Sequence, residues 1–206
     1  MINQELIKYI NINILPEYNK NEKAHGKDHI IEVIERSLEL SKELAVNLEI
    51  VYTVAAYHDI GHYIDAKNHE IVSGKIFYSD KNMEKFFNRE ERKIIKEAIE
   101  DHRASAKKSP RSIYGKIISS ADRGIPNVEN RIERAYWYTK NHNPNYTEEE
   151  IKNEVYNHLR SKFGKDGYAK IYIVDEKYEK ASKEFIKIVE NEKLFKKKIE
   201  KFIQEL

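Results

Sequence analysis

Apolar residues along this chain recur three and four positions apart and seldom alternate, a pattern that predicts helices rather than half-buried strands. Leu6, Ile7, Ile10 and Ile14 make the first stripe, over residues 3–15. Pro16 ends it, because proline lacks the amide proton that a helix interior needs. A polar linker from Asn19 to Lys27 follows. Asp28 is the expected cap of a helix running to about Leu44, with Ile30, Val33, Ile34, Leu38 and Leu40 on its inner face. Asn47 caps the next helix, whose almost wholly apolar run leads into His58 and Asp59. Three more helices are predicted before residue 125. One spans about Asn68 to Tyr78, and one starts at Asn88, with Glu91 completing a capping box, and ends near His102. The third opens at Ser109–Pro110 and passes Ile113, Ile117 and Ile118 to Ala121–Asp122.

Farther along, residues 128–140 form an aromatic helix containing Tyr136, Trp137 and Tyr138, broken by Asn141 to Asn145. Thr147 with Glu150 opens a helix through about Phe163, which Gly164 and Gly167 end. The last 30 residues read as one long helix finishing in Lys196–Lys197–Lys198 and Phe202–Ile203. No internal repeat or low-complexity segment interrupts this. The expected architecture is an all-α helical bundle, residues 1–206 as a single domain. Its core spans about 20–141 and a C-terminal helical extension about 142–206.

Composition narrows the partners. With 37 basic and 35 acidic side chains in 206 residues, no field of one sign draws nucleic acid or membrane. Cysteine is absent, which excludes disulfides, thiolate metal sites and cysteine nucleophiles together. The segment Met1 to Glu5 lacks a basic stretch followed by an apolar run, and no stretch reaches the roughly 20 apolar residues of a spanning helix. The expected location is cytoplasmic. Oligomeric state is not specified.

The His58–Asp59 doublet carries the chemistry. Val54–Ala55–Ala56–Tyr57 reads as buried, and running it into a carboxylate is costly unless a positive partner meets that charge. A divalent metal is the simplest partner for an imidazole beside a carboxylate. Neighbouring side chains diverge by roughly 100° in mid-helix but can converge at a helix end, and Gly61 is the residue expected just beyond one. His29, His58, Asp59, His69, His102 and Asp122 all fall at predicted helix ends beside apolar runs. Any one of them alone reads more readily as a hydrogen-bonded core residue than as a ligand. Together they read as a metal site built from facing helices.

In that order, His29, His58–Asp59 and Asp122 resemble the HD-domain superfamily of metal-dependent phosphohydrolases. Local segments agree: Asp28–His29–Ile30–Ile31–Glu32–Val33, Ala55 to Gly61, His69–Glu70 with Ser73, Ile99 to His102, and Ser120 to Arg123. Glu32 stands where the family often has Arg. The similarity covers roughly residues 20–125 and does not extend over the last 65 or so. It implies an HD-type helical bundle with additional C-terminal helices, and a hydrolase of phosphate mono- or diesters, of a nucleotide or related metabolite, using metal-activated water. The implied ligands are His29, His58, Asp59 and Asp122, with His69 and His102 added as in binuclear members and Asp59 bridging. One or two divalent ions (Mn, Fe, Mg, Ni or Zn) are the expected cofactor, and Asp59, His102 and Arg103 the catalytic residues.

Arg103, Lys107, Lys108 and Arg111 cluster after His102, and Arg123 follows Asp122. Either they clamp phosphate, together with Lys67, or they belong to ordinary solvated loops. Glu70 and Asp101 orient neighbouring histidines or serve as surface residues. His25 and His62 stand outside the metal set, with a supporting role open to both, and His142 and His158 read as structural or exposed. Tyr136–Trp137–Tyr138 stack a base or pack in a core, and the C-terminal lysines read as a solvated helix end. The alternative function is a non-catalytic, metal-stabilised helical module that binds a nucleotide or a partner. Oxidative di-iron chemistry is a third.

Overall fold

Capping residues decide where these helices begin. Asn47 accepts a hydrogen bond from the Glu49 amide, and Asn88 and Thr147 each close a capping box with Glu91 and Glu150. The computed structural model describes residues 1–22 and 25–206, and all regular structure among them is helical. The α-helices are α1 (Gln4–Asn13), α2 (Lys27–Leu40), α3 (Leu48–Tyr57), α4 (His69–Ser79) and α5 (Arg89–Glu100). There follow α6 (Ile113–Arg123), α7 (Val128–His142), α8 (Glu148–Phe163), α9 (Glu176–Val189) and α10 (Glu192–Gln204). Short 3-10 turns cover Leu15–Lys20 and Lys81–Lys85. No described helix is long and apolar enough to cross a membrane.

Four boundaries differ from the sequence expectation. The polar linker begins as the 3-10 turn Leu15–Lys20, and its residues 23–24 lie outside those described. Asp28 is not the cap of α2: Gly26 takes the extended cap position, and Asp28 sits in the first turn, where a carboxylate suits the helix dipole. That helix stops at Leu40 rather than Leu44, because Lys42 and Leu44 donate to Glu39 and Ser41 in tight three-residue turns. The cap of α6 is Ser112, not Ser109. Pro110 is buried in the loop before it, and the Arg111 amide donates to Asp101 Oδ2 at 2.7 Å, which spends that amide outside the helix.

The last 30 residues form two helices. In one straight helix, Phe185 and Phe195 would be rotated by about 80° from each other. The break at Glu190–Asn191, with Asn191 accepting from the Leu194 amide, lets both α9 and α10 turn their apolar faces into one core.

Two compact units result. The first holds residues Met1–Gly124 together with Ile171–Val174. Its core includes Leu6, Ile10, Ile30, Tyr57, Phe77, Ile95, Ile99 and Ile118. Within it α2 packs on α3 and α6, α4 on α5, and α3 on α5 and α6. Each fully buried side chain of this size contributes roughly 1.5–3 kcal/mol, which is what holds α3 in place while its end carries charged groups. The second unit holds Ile125–Lys170 and Asp175–Leu206, with Val128, Ile132, Val155, Leu159, Phe185, Val189, Phe195 and Ile199 in its core. Here α7, which the sequence reading grouped with the preceding core, packs on α8 and α10. Tyr136 enters this core, while Trp137 and Tyr138 are exposed.

Candidate metal centre

The doublet follows directly from the last turn of α3, a helix whose residues Ile50 to Tyr57 are all buried. Three contacts fix that turn. The Tyr18 hydroxyl donates to the Ala56 carbonyl at 2.8 Å, Asn21 Nδ2 donates to the Asp59 carbonyl at 3.1 Å, and the Gly61 amide donates to Ser73 Oγ at 3.0 Å. His58 and Asp59 are 0% and 1% exposed, so an ionised carboxylate here is fully out of water.

Around Asp59, side chains from separate helices converge. Oδ2 lies 3.5 Å from His58 Nε2 and 3.9 Å from His29 Nε2 on α2. Asp122 on α6 closes that side, its Oδ1 being 3.3 Å from His29 Nε2 and 3.8 Å from His58 Nε2. The other oxygen, Oδ1, lies 3.3 Å from His69 Nε2 at the start of α4 and 3.2 Å from His102 Nε2 just past α5. Asp59 thus belongs to two donor sets, one with His29, His58 and Asp122, the other with His69 and His102.

The state of the rings follows from their outer nitrogens. The Nδ1 atoms of His58, His69 and His102 lie 2.8, 3.0 and 2.6 Å from the carbonyls of Ala55, Ala66 and Ile99. A carbonyl only accepts, so each Nδ1 carries a proton, and whenever the ring is neutral its lone pair sits at Nε2. Two such lone pairs, on His69 and His102, face each other at 3.1 Å. Buried His58 Nε2, His29 Nε2 and Asp59 Oδ1 make no hydrogen bond of good geometry among the described residues. Lone pairs and carboxylates crowded this closely repel unless a proton or a cation lies among them. Imidazole and carboxylate donors without thiolate fit a divalent ion such as Mn, Fe, Ni, Zn or Mg.

Titration tells the same story. Burial acts against charge on His58, but the Asp59 and Asp122 carboxylates outweigh it and raise the imidazole to about 9. Burial would push Asp59 and Asp122 up, yet their histidine partners hold both well below the usual carboxylate range. Burial and the nearby His102 keep His69 below its ordinary value, in the neutral form that ligates. One side of Asp59 therefore calls for positive charge, and the other offers the unprotonated nitrogen of His69.

The remaining candidates are more dispersed. Arg103 lies beside the centre, bonded to the Lys67 carbonyl and 3.2 Å from Glu70 Oε2, while Glu70 is 3.8 Å from His69 Nδ1. Arg123 is buried behind it: its guanidinium donates to Ser119 and, at 3.3 Å, to the His102 carbonyl, bracing the ligand loop. Arg111 is tied to Asp101, Glu100 and the Glu97 carbonyl, so its contacts close the C-terminal end of α5. The side chains of Lys67, Lys107 and Lys108 are exposed. His142 is exposed and stacked on Tyr138, and His158, partly buried on α8, lies in the second unit.

Sequence reading left out two neighbours. His25 Nδ1 is 2.8 Å from Asp59 Oδ2, and its ring stacks on His62 at 3.9 Å between centroids with 18° between planes. Burial and the adjacent His25 lower His62 to about 4. Glu22 joins these two in a looser third cluster. The signal for His25 was its spacing, four residues before His29; the sequence reading kept it outside the metal set with a supporting role open.

The sequence profile of the HD domain matches residues 26–124. An uncharacterized protein of Clostridium beijerinckii is 35% identical over 105 residues, which span 48% of this chain and 66% of the relative's length. The crystal structure of a predicted HD superfamily hydrolase from an uncultured Thermotogales bacterium is similar with a TM-score of 0.50 at 22% identity, covering 76% of this chain and 86% of that one. A structure from Lactobacillus plantarum reaches a TM-score of 0.60 at 18% identity, covering 94% of this chain and 97% of its own. At these identities the two structures speak for the fold.

Proposed function

Residues 26–124 of this chain are an HD domain, and on that premise we propose that the protein hydrolyses a phosphate mono- or diester, of a nucleotide or a related metabolite, with the help of divalent metal. The observation that carries this reading is the division of one buried carboxylate: Asp59 turns Oδ2 toward His29, His58 and Asp122 and Oδ1 toward His69 and His102. Those six side chains would hold one ion on each side of Asp59. When bound, such ions neutralise phosphate oxygens, orient the ester and make a water nucleophilic near neutral pH.

What the chain itself supplies is arrangement. The carbonyls of Ala55, Ala66 and Ile99 hold a ring proton on the Nδ1 of His58, His69 and His102, so these three turn Nε2 toward the carboxylates. Arg123 braces His102 through its carbonyl. Arg103, one third exposed and held by Glu70, supplies a fixed cation beside His69 for an anionic ester, and exposed Lys67 adds a second, mobile one. Low dielectric around Asp59 strengthens each of these interactions.

The test is to strip the protein with a chelator, restore Mn, Fe, Ni, Mg and Zn one at a time, and assay chromogenic phosphate mono- and diesters with a panel of nucleotides. Turnover should return with at least one ion, and His58→Ala or Asp59→Ala should reduce it on the order of 1000-fold, since losing a ligand loses the ion. Undiminished turnover in either variant contradicts the assignment. Metal-dependent melting and tight nucleotide binding without any turnover would establish the non-catalytic module instead.

A further inference from the structure

We propose that His25, which is not one of the six ligands, is a positioning residue that sets the rotation of the Asp59 carboxylate and thereby allows one oxygen to serve each donor set. This rests on the two-ion reading above. A carboxylate turns easily about its terminal torsion, whose energy wells are broad. Nothing in the doublet itself stops Asp59 from swinging both oxygens toward His29 and His58 and abandoning His69 and His102.

His25 supplies the stop. A carboxylate oxygen only accepts, so at 2.8 Å His25 Nδ1 donates its proton to Oδ2, and with Oδ2 pinned, Oδ1 stays 3.2–3.3 Å from His102 and His69. The His25 ring is itself held. It lies flat on His62 at 3.9 Å, its backbone amide donates to the Glu22 carbonyl, and its carbonyl accepts from Asn21. The same Asn21 amide group donates to the Asp59 carbonyl, so the positioning residue and its target share an anchor.

A rival role, a third cation site formed by Glu22, His25 and His62, fits less well. Lone pairs lie in the ring planes, and planes only 18° apart direct them side by side rather than to one point. His25 Nδ1 is also already committed to Asp59. Orientation of a ligand through a hydrogen bond is what remains.

The experiment is Mn²⁺ binding to the full chain by equilibrium dialysis with elemental analysis, joined to electron paramagnetic resonance of the loaded protein. Wild type should bind two ions per chain with the spectrum of an exchange-coupled pair. His25→Ala should weaken one of the two by roughly 10–100-fold, leave the other within about twofold, and replace the coupled signal with that of isolated ions. His25→Asn, which keeps an amide donor near the Nδ1 position, should restore the pair. Should the Ala variant fail to fold, His25→Gln, which moves the donor off Oδ2, takes its place with the same expectation. Wild-type binding and an intact coupled signal in the Ala or Gln variant would overturn the proposal, as would equal weakening of both ions. Fewer than two ions in wild type would instead overturn the two-ion reading on which it stands.

Discussion

At Asp59, two carboxylates and several imidazoles crowd together, and in the metal-free protein a proton stands in for a cation. His58 takes that proton, which is why it rises to about 9 from an ordinary value of 6.5. A raised folded-state value means stabilisation that is complete below pH 6.5 and lost as pH climbs toward 9, worth on the order of 3 kcal/mol. Asp59 and Asp122 behave oppositely: their lowered values stabilise above pH 3.8 and cease to do so as acid protonates them. Chelated protein should therefore melt at falling temperature between pH 6.5 and 9, and metal-loaded protein should not, because the ion replaces the proton. Melting curves across that range decide the matter; a flat profile for the chelated protein would count against it. Gly61 is a second residue with a sharp consequence. Its φ is not positive, so no left-handed turn requires it. A Cβ there would instead lie 2.8 Å from the Ser73 backbone nitrogen and 2.7 Å from Val72 Cγ1. Gly61→Ala should cost about 1–3 kcal/mol, read as a lower melting temperature, and should loosen the His69 side of the centre as α4 is pushed away.

Among the elements, those with a paired cap and a clean apolar stripe were legible in advance. Asn47, Asn88–Glu91 and Thr147–Glu150 start helices where the sequence says they do. The convergence of the six candidate ligands was legible as well, because each lies at or near the end of a predicted helix. Less legible were features decided by tertiary contact. Ser109–Pro110 has good cap chemistry, but Asp101 claims the neighbouring Arg111 amide and moves the start to Ser112. The division of α9 from α10 was hidden because Asn191 is a modest breaker, and only a shared core explains it. Removing that cap with Asn191→Ala should lower stability by about 1 kcal/mol, visible as a shift in the denaturant midpoint. Arg111 illustrates the same limit in the site. Its position after His102 suggests phosphate, whereas its bonds to Asp101, Glu100 and Glu97 make it an end-clasp for α5. Arg111→Ala should therefore lower the melting temperature slightly and leave KM for any phosphate ester unchanged, while Arg103→Ala should raise KM.

For the molecule as a whole, the first compact unit is discontinuous in sequence, with Ile171–Val174 returning to it from beyond residue 124. The Ser120 hydroxyl oxygen accepts from the amides of Tyr172 and Ile173 at 3.0 Å each, and Ile173 packs against the first core. Ser120→Ala leaves two amides without their acceptor and should destabilise by roughly 1–3 kcal/mol, measurable by thermal melting. Ser120 is two residues from Asp122, so this returning segment and the centre are anchored on the same helix. The central claim is that Asp59 is shared between two bound ions. Anomalous diffraction from crystals of Mn²⁺-loaded protein tests it most directly: two peaks roughly 3.5–4 Å apart, one on each side of the Asp59 carboxylate, are predicted. Manganese bound away from Asp59, or none bound at saturating concentration, would contradict it.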